Sequence, residues 1–94
     1  MATVTWNRPV IAESDDTVVV EGNHYFPRIA VHDDVLSPNE QTSVCPWKST
    51  ASYFDLTVDG ERNEGVAWCY PSPKAQAAEI KDRVAFWKGI EVSA

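Results

Sequence analysis

The stretch Ala51-Ser52-Tyr53-Phe54-Asp55-Leu56-Thr57-Val58, followed by Asp59-Gly60 and then by Gly65-Val66-Ala67-Trp68-Cys69-Tyr70, decides the fold. Two runs rich in aromatic and β-branched residues flank an Asp-Gly pair, the dipeptide that accepts the positive φ angles of a two-residue hairpin turn. The segment therefore reads as a β-hairpin. Alternation along its second arm puts Val66, Trp68 and Tyr70 on one face and Ala67 and Cys69 on the other.

Upstream, the chain reads as short strands with polar breaks. Val4 and Trp6 alternate with Thr3, Thr5 and Asn7 before Asn7-Arg8-Pro9 turns the chain. Val10 to Glu13 and Thr17 to Glu21 follow as strands separated by Ser14-Asp15-Asp16. Gly22-Asn23 is a break, and Tyr25-Phe26-Pro27 leads into a weakly periodic stretch. From Arg28 to Glu40 the sequence predicts a connection with one helical turn near His32-Asp33-Asp34, capped by either aspartate. Downstream, Ser72 suits an N-cap and Pro73 a first helical position, and Ala75, Ala77, Ala78 and Ile80 supply a narrow apolar stripe. This predicts one short helix, from Lys74 to Lys81, lying against a sheet. Val84 to Trp87 reads as a further strand, closed by a Lys88-Gly89 turn. Many strands and one short helix predict a mainly β, antiparallel domain.

Composition bounds the function. Ninety-four residues suffice for one domain with one modest core. A net charge of −6 argues against non-specific nucleic-acid binding and against attachment to an anionic membrane surface. No apolar run approaches the roughly 20 residues of a membrane span, and no basic region precedes an apolar stretch at the N-terminus. The expected location is cytoplasmic. Neither Cys45 nor Cys69 belongs to a CxxC pair, and the eight-residue spacing of His24 and His32 fits no usual ligand pair, so no metal or cofactor is expected. A Cys45–Cys69 disulfide stays open, with reduced thiols expected in the cytoplasm.

The chemistry-bearing segment is Thr42-Ser43-Val44-Cys45-Pro46-Trp47-Lys48, just ahead of the first hairpin arm. Pro46 fixes φ and removes a donor, which stiffens the loop. Lys48 can bind an anionic ligand or, with its pKa lowered by burial, form a Schiff base; the plainer reading lays its stem over Trp47 or Tyr53 with the amine in water. Cys45 is a candidate nucleophile beside Lys48, but a free cysteine ahead of a strand is more simply a small buried hydrophobe, and His24 would serve as its base only if the fold carried it there. Tyr25, Trp47, Tyr53, Trp68 and Tyr70 are a large aromatic stock that can wall a pocket or fill a core, whereas Trp6 and Trp87 read as core. Glu21, at a strand end, can pair with Lys48 or stand solvated. Asp15-Asp16, Asp33-Asp34 and Glu61 to Glu64 read as solubilising surface charge.

In order along the chain, Glu13-Ser14, Glu21, Tyr25-Phe26-Pro27, Cys45-Pro46-Trp47-Lys48, Ala51, Tyr53, Trp68, Tyr70, Pro73, Ile80 and Phe86 form a pattern that resembles the family catalogued as domain of unknown function 427, from about Val4 to Val92. One departure is Ser49, where the family usually shows glycine. The resemblance implies a β-tent-like fold of two antiparallel sheets without the paired zinc cysteines of other β-tent proteins. The family has also been labelled nucleotidyltransferase-like, but the chain has no Gly-rich phosphate loop and no clearly placed acidic pair for magnesium. The resulting expectation is a small-molecule-binding domain. Glu21 and Lys48 would supply polar contacts, and Tyr25, Trp47, Tyr53, Trp68 and Tyr70 the walls. An enzyme using Cys45 or Lys48 covalently, and a protein-interaction module docking through exposed aromatics, are the alternatives.

Overall fold

The computed structural model describes residues 1–46 and 48–93. Nine strands run through them: β1 (Ala2–Thr5), β2 (Val10–Ser14), β3 (Val18–Val20), β4 (Asn23–Pro27), β5 (Leu36–Cys45), β6 (Ser49–Val58), β7 (Glu61–Cys69), β8 (Arg83–Phe86) and β9 (Glu91–Ser93). They form a three-stranded sheet, β2-β1-β9, and a six-stranded sheet, β3-β4-β8-β7-β6-β5. Every strand pairing in both is antiparallel.

The hairpin of β6 and β7 turns at Asp59 and Gly60, whose φ angles of 51° and 80° are those that Asp-Gly tolerates. Around it the large sheet buries both faces. On one face Val4, Ile11 and Ala12 of the small sheet meet Phe26, Leu56, Val84 and their neighbours. On the other, Tyr25, Ala51, Trp68, Tyr70 and Ala85 gather under Ala77 and Ile80. Alternation explains the division: Tyr25 and Phe26, or Val84 and Ala85, are chain neighbours that project to opposite faces. Each fully buried aliphatic or aromatic side chain here contributes roughly 1.5–3 kcal/mol.

Four local expectations are corrected. The predicted helix is a 3₁₀ segment, Ala75–Ile80, interrupted by non-helical angles at Ala77 and without a side-chain cap. Six residues are too few to repay α-helix nucleation, so docking of Ala77 and Ile80 on the sheet decides its form. The stretch from Arg28 to Glu40 holds two 3₁₀ turns, Arg28–Ala30 and Asp33–Val35, and then enters β5. That ten-residue edge strand is exposed along nearly its whole length, so it has no hydrophobic alternation to reveal it. The break at Gly22-Asn23 is a tight turn over Glu21 and Gly22, with Asn23 already in β4. Finally, Val66 joins the inter-sheet core rather than the face of Trp68 and Tyr70.

The misplacement of Val66 has a local cause. Phe54 pairs with Ala67 but Leu56 with Asn63, so three β7 residues lie opposite Asp55. On the other flank, Asn39 pairs with Tyr53 and Thr42 with Ser52, which pushes Glu40 and Gln41 out of register. Both bulges close on Asp55, which is fully buried. Its Oδ1 accepts from Gly65 N at 2.8 Å and from Asn39 Nδ2 at 2.7 Å, and its Oδ2 accepts from Arg62 Nη2. Burial alone would raise the Asp55 pKa; these three donors and the Arg62 charge outweigh it and hold the carboxyl below its ordinary value.

Candidate functional site

The face of the large sheet opposite the small sheet carries a cavity of about 250 Å³. Its walls come from elements far apart in sequence. β4 supplies Asn23 and Tyr25, β6 supplies Tyr53, and β7 with its extension supplies Trp68 and Tyr70. Lys48 enters from the β5–β6 connection and Trp87 from the end of β8. Residues two apart on a strand share a face, which is why Trp68 and Tyr70 line it together.

The walls are fixed by contacts of their own. Trp68 Nε1 donates to the Tyr25 hydroxyl at 3.2 Å, and the two rings meet edge to face. Trp87 stands edge to face with Trp68, at 5.7 Å between centroids, while its Nε1 donates to Gly65 O at 2.8 Å. The Tyr53 hydroxyl shares a hydrogen bond of 2.9 Å with Ser43 Oγ. Lys74 secures the connection that carries Lys48: its backbone N–H donates to Lys48 O and its amine to Pro46 O. Burial raises the Tyr25 phenol above its ordinary pKa and pushes Tyr70 up to about 12, with neighbouring phenols and the Cys45 thiol adding to the latter, so both remain protonated donors at neutral pH.

Lys48 is the one cation in the lining. Its Nζ lies 5.9 Å from the centroid of the Tyr70 ring and forms an ion pair with Glu21 Oε1. The pair is lopsided: the lysine side chain is 6% exposed and the glutamate side chain 57%. Burial pulls the Lys48 pKa below the ordinary lysine value. A carboxylate so widely exposed to water is screened and offsets that loss only in part.

Of the expected site residues, the fold brings Tyr25, Lys48, Tyr53, Trp68 and Tyr70 around one cavity and places Glu21 against Lys48. Trp47 lies outside the described residues. Asn23 and Trp87 belong to the lining without having been picked out by sequence. Trp87 corrects the core reading outright, since it is 43% exposed. Its place just past β8, in phase with Ala85, was the signal that could have found it. Trp6 is partly buried against the inter-sheet core.

Cys45 is half-buried and packs against the cavity-side cluster, whereas Cys69 is in the inter-sheet core. The two thiols therefore sit on opposite faces of the sheet. His24 lines a different cavity, with Gly22, Phe86, Ile90 and Val92, and its Nδ1 is buried without a partner. As the neighbour of Tyr25 on β4 it projects away from Cys45, so the fold does not deliver it as a base. Among the described residues, no three His, Cys, Asp or Glu side chains gather where a metal ion could be held. Among them too, no helix is long and apolar enough to cross a membrane.

The family model described as Domain of unknown function (DUF427) matches residues 1–94. The chain belongs to the DUF427 family. No curated protein matches it. Within this DUF427 domain the serine after Lys48 acquires a physical meaning: Ser49 has φ of 94°, in the region that glycine adopts freely and side chains resist. The glycine that the resemblance leads one to expect there fits the backbone better than the serine present.

Proposed function

We propose that this DUF427 domain binds a small planar molecule in the cavity around Lys48. The observation that carries the reading is the convergence of five aromatic side chains, Tyr25, Tyr53, Trp68, Tyr70 and Trp87, with one buried ammonium on a concave surface. Flat apolar walls stack on rings, and a few polar groups fix orientation, as small-ligand sites usually combine them. The volume, about 250 Å³, suits one or two fused rings. A docking module would expose aromatics across a broad patch. Here Trp87 is the one strongly exposed aromatic among the described residues, and it belongs to the cavity wall.

A second reading, covalent chemistry at Lys48, draws support from the lowered pKa of its amine, which favours the nucleophilic form. Condensation with an aldehyde would form the imine and release water, and borohydride would fix the product as a secondary amine. Benzaldehyde with borohydride, followed by peptide mapping, tests it: modification no faster at Lys48 than at Lys81 or Lys88 removes the covalent reading.

Binding itself is tested by amide and indole NMR spectra during titration with one- and two-ring aromatic compounds. The expected result is a saturable shift of the Trp68 and Trp87 indole signals and of the Asn23 side-chain amide. Shifts scattered over the surface, or none from any ring compound, would contradict the proposal.

A further inference from the structure

We propose that the ligand of this cavity is a small planar aromatic anion whose carboxylate takes the place of Glu21 on Lys48. The inference rests on the pocket reading above and specifies the charge and head group of its occupant.

The lining is one-sided in its polar chemistry. It presents the Lys48 ammonium, the phenols of Tyr25, Tyr53 and Tyr70, and the Asn23 amide, and it includes no carboxylate. Both indole N–H groups are already committed, to Tyr25 and to Gly65. Such a set of donors asks for an acceptor, and its formal charge asks for an anion.

Glu21 answers that demand from outside. Its side chain is more than half exposed while that of Lys48 is almost wholly buried, so the carboxylate reaches in from solvent towards a fixed ammonium. Leaving costs Glu21 little desolvation energy, because most of its hydration is already in place. A ligand carboxylate seated among the rings would meet the same ammonium across less water and attract it more strongly. A buried ammonium left without a counter-charge would be expensive, so exchange of one carboxylate for another is the economical route.

The backbone offers an independent sign that Glu21 is present for its charge. Val20 pairs with Asn23, which leaves Glu21 and Gly22 as a two-residue turn with φ of 54° and 81°. Turns with two positive φ angles favour Asn, Asp or Gly at the first position. A glutamate there gains nothing from the turn; its visible contact is with Lys48. The hairpin thus holds a counter-ion at the mouth of the cavity.

The test compares 2-naphthoate with 2-naphthamide, and benzoate with benzamide, as probes of wild type, Glu21→Gln and Lys48→Met by NMR and tryptophan fluorescence titration. In wild type each acid should bind about tenfold more tightly than its amide. Glu21→Gln should tighten acid binding about three- to tenfold and leave amide binding within about twofold. Lys48→Met should erase the difference between acid and amide. Equal binding of acid and amide, with shifts confined to the cavity, would overturn the anion assignment and leave the pocket reading standing. Acid binding that Glu21→Gln does not tighten would overturn the exchange. No cavity-localised binding of any of the four probes would overturn both this inference and the pocket reading.

Discussion

Replacing Asp55 should be the most damaging single polar change in this domain, and its size follows from which oxygen does what. Oδ1 accepts from the buried Gly65 N–H and from the Asn39 side-chain amide, and Oδ2 accepts from Arg62. Arg62 is 59% exposed and returns to water when its partner is removed. The other two donors have no such recourse. Hydrogen bonds to a charged group contribute about 1.5–3 kcal/mol each, so Asp55→Ala should cost about 3–5 kcal/mol. For a domain of this size that corresponds to a fall in Tm of about 15–30 °C, a large share of a total stability of about 5–15 kcal/mol. Asp55→Asn keeps an oxygen at the Oδ1 position and turns its amide towards Arg62, which can move away; its cost should be about 1–2 kcal/mol. Urea and thermal denaturation of the three proteins, with NMR dispersion to verify folding, measure both numbers. The folded carboxyl titrates below its unfolded value of about 3.9, so its contribution is complete above that pH and fades as the pH falls through the folded pKa. The gap between wild type and Asp55→Asn should therefore close below about pH 4. An Asp55→Ala protein within about 1 kcal/mol of wild type, or an Asp55→Asn protein equally damaged, would refute the reasoning. So would a gap that persists unchanged to pH 2.

Three further outcomes follow from the same geometry. Lys48→Met should be as stable as wild type or more so, within about 1 kcal/mol, because it removes a desolvated ammonium and leaves Glu21 in water; a clear loss in a melting experiment would make Lys48 a structural residue and undercut the site. Ser49→Gly should stabilise the domain by about 1 kcal/mol, since φ of 94° strains a side chain and suits glycine; a lower Tm would show that the serine's contacts outweigh the strain. Iodoacetamide should label half-buried Cys45 well before Cys69, whose thiol is buried with a pKa raised by that burial; equal rates by mass spectrometry would contradict the assignment of the two thiols to differently shielded faces.

The support of Trp87 links the stability of the hairpin to the shape of the cavity. Gly65 donates its N–H to Asp55 and accepts the Trp87 indole at its carbonyl, so the buried carboxylate and the cavity wall share one bulged residue. Gly65 adopts φ of 65°, which is the conformation the bulge requires. Its backbone is thus the bracket on which one indole wall hangs.

What the sequence by itself determined was the class of fold and most of the cavity's cast. Asp59-Gly60 between two apolar arms specified a hairpin because turn chemistry is local, and alternation put Trp68 and Tyr70 on one face because strand geometry has a period of two. The distinctive Cys45-Pro46-Trp47-Lys48 run pointed to Lys48 in the same way. Tertiary structure alone decided the rest. β5 was silent in sequence because an exposed edge strand needs no apolar pattern, and the Ala75–Ile80 segment became 3₁₀ because docking of two side chains outweighed helix propensity. Val66 changed face, and Asp55 became a buried anchor, through bulges that insert residues between otherwise regular pairs. Trp87 turned from presumed core into cavity wall through a bond to a carbonyl 22 positions away. The pairing of Glu21 with Lys48, 27 positions apart, likewise exists only when the β3–β4 turn and the β5–β6 connection meet. Local rules choose the elements; which side chains finally face one another is set by register and packing over distances that no short window of sequence contains.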